Sequence, residues 1–427
     1  MALSAEEQLL LELINRARLD PVGEVERLAS ARSGGTEGTL SSGDIPDDLP
    51  SGPLDPVVHN DTLAEAARAH SDWILDEDIF SHTGAGGSNA RERMVDAGYE
   101  FSGRTAWAEN LALRGSTGAL DVEKSVYIMH ANLFESDGHR ANMLSGSVRE
   151  VGNAVEVGDY VGYDTAVATQ NYARSGDTRF VTGVVYDDRD GDDFYSVGEG
   201  ESGVRVSAGS RGTRSEDAGG YTLSLGADGQ KEWVTIESGG NTYQLLILER
   251  AGNAKIDLID GETLATSVSL KLTGDAQHAI MLGIEDLVLK GRKGANDLTG
   301  NSGDNTLVGK RGRDTLAGGD GDDKIKGGGG GDTLSGGAGN DMLKGGRGAD
   351  TFIFTSGRDT FKGFDLNEDT LMLDADLWSG RMSARDVVAE FGDIHRGDAV
   401  LDFGHGDVVT IKGVDDLNDL AQDILFA

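Results

Sequence analysis

Seven nonapeptides run without a gap from Gly291 to Ile353: GRKGANDLT, GNSGDNTLV, GKRGRDTLA, GGDGDDKIK, GGGGGDTLS, GGAGNDMLK and GGRGADTFI. Position four is Gly in all seven. Position six is Asn296, Asn305, Asp314, Asp323, Asp332, Asp341 and Asp350, and position eight is Leu298, Leu307, Leu316, Ile325, Leu334, Leu343 and Phe352. Six residues of turn and a three-residue strand make half a coil of a parallel β-roll, with the position-eight side chain pointing inward. Gly supplies the positive φ of such tight turns and lets carbonyl oxygens approach an ion. Gly makes up 20 of the 63 residues, which a flexible linker could share. A linker would not keep a hydrophobic residue in register at every ninth place.

A carboxylate at position six offers hard oxygen ligands, which suit Ca²⁺ better than a transition metal. Two nonapeptides make one coil, so stacked turns come from repeats two apart. The fully acidic pairs are then Asp314 with Asp332, Asp323 with Asp341, and Asp332 with Asp350. Pairs containing Asn296 or Asn305 lose a negative charge and are expected to bind more weakly. The repeat resembles the RTX calcium-binding nonapeptide.

The chain has 427 residues and a formal net charge of −36. That length fits two to four domains. The charge argues against nucleic acid and against an anionic membrane surface as partners. Residues 291–353 carry nine basic and nine acidic side chains, so the excess acidity belongs to the rest of the surface. With no Cys there are no disulfides, no Cys-based zinc sites and no thiol catalysis. No stretch is apolar enough to span a bilayer. The N-terminal MALSAEEQLLLELINRAR lacks the basic region and apolar core of a cleaved signal peptide.

Residues 1–175 are read as mixed α and β. Ser4 and Glu7 make a capping-box pattern before an apolar face of Leu9, Leu10, Leu13, Ile14 and Ala17, and Pro21 marks the expected end of that helix. Residues 33–56 read as a long loop. Further helices are expected near 60–75, 90–98 and 120–135, and strands at 151–157 and 165–172. Residues 176–290 change to short alternating strands (FVTGVVY, GVRVSAG, GGYTLSL, EWVTIE, YQLLILE), the pattern of a small β-sandwich. Residues 354–427 add strands and a terminal helix in DDLNDLAQDILFA.

Candidate chemistry in residues 1–175 lies in FSHTG (His82), AENLA (Glu109) and FESDGHRANML (Glu135, His139). Glu135 and His139 are spaced i, i+4, within reach of each other at a helix end. No HExxH, Walker or GxSxG pattern occurs. The ordered set LELINRAR, HSDWI, FSHTG, AGY, AENLA, SDGHRANML, EVGNAV and VATQNY resembles the CAP superfamily over residues 4–174. That family contains the cysteine-rich secretory, antigen 5 and plant pathogenesis-related proteins and many bacterial relatives.

The resemblance implies an α-β-α sandwich whose cleft holds two His and two acids. His82, Glu109 and His139 match three of these places. Glu135 lies near the fourth, with His130 as a rival. LFES stands where bacterial relatives carry a Trp-containing segment, and AEN replaces GEN. Such a cleft could hold Zn²⁺ or another divalent ion, run acid–base chemistry, or be a hydrogen-bonded polar patch. CAP domains are associated variously with lipid or sterol binding, peptidase activity and partner recognition. His70 and His130 read as structural.

In YDDRDGDDFYSVGEG, Asp188, Asp190, Asp192, Ser196 and Glu199 occupy offsets 1, 3, 5, 9 and 12 of an EF-hand loop, with the Phe194 carbonyl at 7 and Asp193 where Gly is usual. The flanking segments are strands. The loop resembles calcium loops of adhesin B-type sandwich domains, with an acidic turn without metal as the alternative.

The expectation is a multidomain α+β protein. It comprises an α-β-α sandwich CAP domain (1–175), a small β-sandwich spacer (176–290), a parallel β-roll (291–353) and a C-terminal cap and secretion signal (354–427). The resemblance to RTX proteins implies extracellular Ca²⁺ and a type I secretion apparatus as partners. An unknown extracellular ligand of the cleft is the first functional expectation, and a metal-dependent, peptidase-like hydrolase the alternative.

Overall fold

The structure is a computed structural model that describes residues 2–33, 46–225, 231–248 and 252–427. Much of the loop expected at 33–56 lies outside the described residues. Two compact units form: Met1–Glu232 with Ile236–Gly239 and Arg250–Gly261, and Trp233–Thr235 with Gly240–Glu249 and Glu262–Ala427.

The first unit begins with α1 (Ala5–Leu19), opened by the Ser4/Glu7 capping box. This helix ends at Leu19 with Asp20 as its C-cap, just before Pro21 as expected. Pro21 also starts a second helix, α2 (Pro21–Ser33), because a first-turn N–H has no intrahelical acceptor to lose and the ring already holds helical φ. There follow β1 (Val58–His59), α3 (Asp61–Glu77), α4 (Ala90–Asp96), β2 (Thr105–Ser116), α5 (Val122–Glu135), α6 (Asp137–Met143), β3 (Glu150–Tyr160) and β4 (Tyr163–Ser175). The sheet order is β1-β3-β4-β2, with β1 parallel to β3 and the other pairs antiparallel. Alternate residues of β4 serve opposite faces. Thr169 Oγ1 meets Ser71 Oγ of α3 at 2.8 Å and Asn171 Nδ2 donates to the Leu63 carbonyl, while Tyr172 lies beside Arg18 of α1. Helices therefore cover both faces, which makes the α-β-α sandwich.

The apolar face of α1 is fully buried, but so are Gln8, Glu12, Asn15 and Arg18 on the same helix. Arg18 is accommodated because its guanidinium donates to the carbonyls of Asp55, Met143 and Ser145. The remaining strands of this unit include β5 (Phe180–Tyr186), the hairpin of β6 (Arg205–Ala208) with β7 (Arg211–Arg214), and β8 (Gly220–Ser224). β5 pairs antiparallel with β8 and parallel with Ala254–Ile259. Strands expected between 176 and 290 thus fall in both units, since Asn241–Ile247 pairs with Leu270–Gly274 in the second.

The second unit is dominated by two parallel ladders. One stacks Leu298, Leu316, Leu334, Phe352 and Leu371; the other stacks Leu289, Leu307, Ile325, Leu343 and Phe361. Partners within the seven repeats are 18 residues apart, and all these side chains are buried. This is the parallel β-roll. Its ladders run past 291–353 at both ends: Thr263–Thr266 and His278–Met281 precede it, and Asp407–Lys412 and Ile424–Phe426 complete it. The tail expected as one helix is a four-residue helix, Leu417–Leu420, followed by that last strand. Alternation of Leu420 and Ile424 with acids leaves too short an apolar stripe for a longer helix, and the open ladder edge supplies hydrogen bonds for a strand.

Gly at position four is obligatory on steric grounds. Gly330 has φ +137, and a Cβ there would lie 1.7 Å from the Gly312 carbonyl oxygen in the coil before it. Stacking at one strand spacing leaves no room for a side chain.

Candidate functional site

In the first unit, His82 lies on the loop between α3 and α4. The loop leaves α3 through Asp78 at φ +54 and turns through Gly86 and Gly87, both at positive φ. Arg93 on α4 ties it down, donating through Nη1 to the carbonyls of His82 and Ser88 at 3.1 and 2.9 Å. The buried Glu109 comes from β2. His82 Nδ1 lies 2.9 Å from Glu109 Oε1, and Arg93 Nη2 donates to Glu109 Oε2 at 2.5 Å. Glu109 is therefore bridged between an exposed imidazole and a half-buried guanidinium.

His139 sits on α6, whose carbonyl accepts from Asn110 Nδ2; Asn142 Nδ2 reaches back to the carbonyl of Glu109 and to Asn110 Oδ1. These amides sew α6 to β2 beside Glu109. Burial holds the His139 imidazole below its ordinary pKa, and the charge of His82 adds to this. The helix expected at 120–135 is α5 and ends at Glu135; Ser136 caps it and begins α6. The His139 ring meets Ser136, Nδ1 to Oγ at 2.8 Å, while the Glu135 carbonyl accepts from Arg140.

His70 is buried and stacked on Trp73, with Nε2 3.0 Å from the Ser81 carbonyl oxygen. Burial, then Arg93, keeps it below its ordinary pKa. His130 is buried against Glu24, which also pairs with Arg16 and Arg27. Both are held within the fold, away from solvent.

In the acidic loop, one oxygen each of Asp188, Asp190 and Asp192 lie within 4.8 Å of one another. Among the described residues this is the one such group of three or more His, Cys, Asp or Glu. Glu199 is buried, and its carboxylate accepts from the backbone N–H of Arg189 and Ser196, at 2.9 and 2.8 Å. It closes the loop. Asp193, where Gly was missing, takes φ +58. Burial raises the Asp192 carboxyl, with Asp190, Asp188 and Glu199 adding to it, so negative charge is concentrated there without a compensating cation side chain in the trio.

The roll carries the most regular array. Each position-six Asp accepts through Oδ1 from the backbone N–H of the residue one coil earlier: Asp314 from Asn296, Asp323 from Asn305, Asp332 from Asp314, Asp341 from Asp323 and Asp350 from Asp332, at 2.6–2.9 Å. The pairing of repeats two apart is thus the structural one. One row continues to Asp359, which accepts from Asp341, and the other to Asp369, which accepts from Asp350. The other oxygen, Oδ2, of Asp314, Asp323, Asp332, Asp341, Asp350 and Asp359 is buried without a hydrogen-bond partner. Position-one Gly makes the space: a Cβ at Gly327 would lie 2.4 Å from Asp332 Oδ2, and one at Gly336 1.9 Å from Asp341 Oδ2.

Buried carboxylate oxygens are normally paired. Two periodic rows of three that are not (Asp314, Asp332, Asp350 and Asp323, Asp341, Asp359), in glycine cradles, fit Ca²⁺, whose ligands are carboxylate and carbonyl oxygens.

Residues 299–334 and 326–361 match the RTX calcium-binding nonapeptide repeat, and residues 11–172 match the cysteine-rich secretory protein family, CAP. The chain carries a CAP domain followed by RTX calcium-binding repeats. An extracellular SCP-domain protein of Bacillus anthracis str. Ames is similar at 23% identity over 29% of this chain and 35% of its own, with TM-score 0.22. An outer surface protein of Borrelia burgdorferi is similar at 14% over 37% and 96%, TM-score 0.23. A subunit of the Azotobacter vinelandii mannuronan C5-epimerase is similar at 24% over 34% and 80%, TM-score 0.19. The chain spans about a third of the length of the Bacillus protein. No curated protein matches it.

The RTX repeats bind Ca²⁺. Asp359 and Asp369 were missed as members of the position-six rows, although FTSGRDTFK keeps Gly at four, Asp at six and Phe at eight. Asp369 follows a one-residue insertion, which hides the period. In the CAP domain the missed residue is Arg93. Nothing in its spacing marks it, because its role arises only when α4 packs beside β2. No helix among the described residues is long and apolar enough to cross a membrane.

Proposed function

We propose that this is an exported, extracellular calcium-binding protein whose CAP cleft binds a ligand or partner through His82, Glu109, His139 and Arg93. The organisation supporting this reading is a CAP domain, a β-strand spacer, a calcium-loaded roll and a terminal segment, DDLNDLAQDILFA, that serves as cap and as signal for a type I secretion apparatus. Calcium-dependent folding suits export, because the roll stays unfolded at cytosolic Ca²⁺ and folds outside.

The observation carrying the cleft reading is Arg93 on Glu109. A guanidinium that occupies one carboxylate oxygen places a fixed positive charge where a metal would sit, which disfavours Zn²⁺ and favours an anionic or polar ligand. The alternative, a metal-dependent hydrolase of peptidase type using His82, Glu109, His139 and Glu135, requires stoichiometric metal there. Metal analysis of the full chain dialysed against Zn²⁺ is expected to find none lost on His82→Ala or His139→Ala. One equivalent lost in both variants would reverse the choice. In histidine NMR spectra, His139 is expected to titrate below about 6.5, the ordinary value, and to move upward in His82→Ala. Independence of the two titrations would separate the residues.

For the spacer loop, the Asp188–Asp190–Asp192 cluster supports one further Ca²⁺. Asp190→Ala is expected to lower the calcium stoichiometry of the folded chain by about one ion, since the remaining two carboxylates fall short of the six to eight oxygens Ca²⁺ takes. An unchanged stoichiometry would leave an acidic turn.

A further inference from the structure

Glu12 of α1, Lys255 and Asp257 form a buried cluster in the first unit, each 5% exposed or less. Lys255 Nζ lies 2.7 Å from Glu12 Oε2 and contacts Asp257 Oδ2. Each acid is held by a separate donor. Gln8 Nε2 donates to Glu12 Oε1 at 2.8 Å, and the Val184 backbone N–H donates to Asp257 Oδ1 at 2.9 Å. The chain closes tightly on both. A Cβ at Gly220 would lie 2.0 Å from Gln8 Oε1, and one at Gly183 1.9 Å from the Ile256 carbonyl oxygen. Tyr221, also buried, hydrogen-bonds that carbonyl and feels the charges of both acids. One ammonium thus faces two carboxyls in a site with little access for water.

We propose that Lys255 and Glu12 condense spontaneously to an isopeptide bond, with Asp257 as the proton shuttle. Buried charges are costly, and an amide carries none. Glu12 is the electrophile because burial favours its neutral acid form, and Gln8 polarises the carbonyl as an oxyanion donor would. Asp257, fixed by the Val184 N–H, accepts a proton from the Lys255 ammonium. The freed amine attacks Cδ of Glu12, the C–N bond forms and the C–OH bond breaks. The hydroxyl leaves as water with a second proton from nitrogen, relayed by Asp257. Ammonium, neutral acid and carboxylate become amide, water and a neutral Asp257, so protons and charges balance and no co-reactant is needed. The bond ties α1, at the start of the CAP domain, to the strand Ala254–Ile259 beyond β8.

Mass spectrometry of the folded full chain tests this. The expected results are a mass one water (about 18 Da) below that of the sequence, and a digest containing one branched peptide that joins residues 12 and 255. Denaturing gels should show faster migration of wild type than of Lys255→Arg, because the bond closes a large loop. Asp257→Asn keeps both reacting groups and is expected to remain unlinked while folded. An unmodified wild-type mass would overturn the proposal. So would a water lost between Lys255 and Asp257 instead, and a fully linked Asp257→Asn would remove the shuttle.

Discussion

Stripping calcium from the full chain is expected to unfold the roll and leave the CAP domain folded. The roll's inward face is one apolar residue per nine, from Leu298 to Phe352, while the turns are built of Gly, which loses most backbone entropy on ordering. Its carboxylates add a further obstacle. Six buried Oδ2 atoms have no protein partner, and their mutual repulsion runs along each row. An ion that binds only the folded turns removes both penalties by mass action. Each site at a hundredfold excess over its Kd adds about 2.7 kcal/mol.

Asp332 belongs to two acidic pairs, with Asp314 and with Asp350. Asp332→Ala is therefore expected to remove up to about 5 kcal/mol at that excess, two such contributions. Asn305→Ala touches a pair that already lacks one charge and should cost less. Circular dichroism during a calcium titration, with proteolysis in chelator to locate the unfolded segment, checks both. Full protection of residues 291–373 in excess chelator would show that the apolar ladder suffices, and equal effects of the two variants would remove the special role of position six.

Acid is expected to replace calcium in part. Burial pushes the carboxyls of Asp341 and Asp350 up to about 6, Asp323 to about 7 and Asp359 to about 8, with neighbouring carboxylates adding to each. Burial also raises Asp314, Asp332 and Asp369. An unfolded Asp titrates near about 3.9. Folded values above the unfolded one mean that the folded roll holds more protons. That stability is fully present below about pH 4 and is lost as pH rises through roughly 6 to 8. Without calcium, the β signal of the roll should therefore grow as pH falls from 8 to 5. With calcium, protons compete for the same oxygens, so the calcium midpoint should fall as pH rises over that range. Calcium titrations at pH 5.5, 6.5 and 7.5 measure it; a midpoint independent of pH would show that the rows are not the calcium sites.

Much of the roll was legible because its period is local. Gly at four, Asp or Asn at six and Leu at eight repeat within one turn and one strand, so stacking at 18 residues follows by counting. Where the period slipped, the reading stopped. Asp369 follows a one-residue insertion, and the ladder strands at 263–266 and 424–426 carry no nonapeptide, so their membership comes only from pairing with neighbours.

The His82–Glu109 pairing was legible as motifs but not as an arrangement. His82, Glu109 and His139 come from a loop, a strand and a helix far apart in the chain. Arg93 entered unannounced because a guanidinium at one turn of α4 has no pattern of its own. Ser136, between α5 and α6, gives the His139 ring a hydroxyl partner that the i, i+4 spacing of Glu135 and His139 did not suggest. Pro21 marked the end of α1 correctly, but its fixed φ also permits a start, and only the chain after it shows that α2 follows at once.

By itself the sequence determined the repeat, its calcium chemistry and the order of the domains, since each depends on residues within a few positions of one another. Tertiary structure alone decided what faces Glu109, where the ladder ends and why Glu12, Lys255 and Asp257 meet. Those contacts join residues separated by up to 245 positions, Glu12 to Asp257, and depend on packing that no local spacing records.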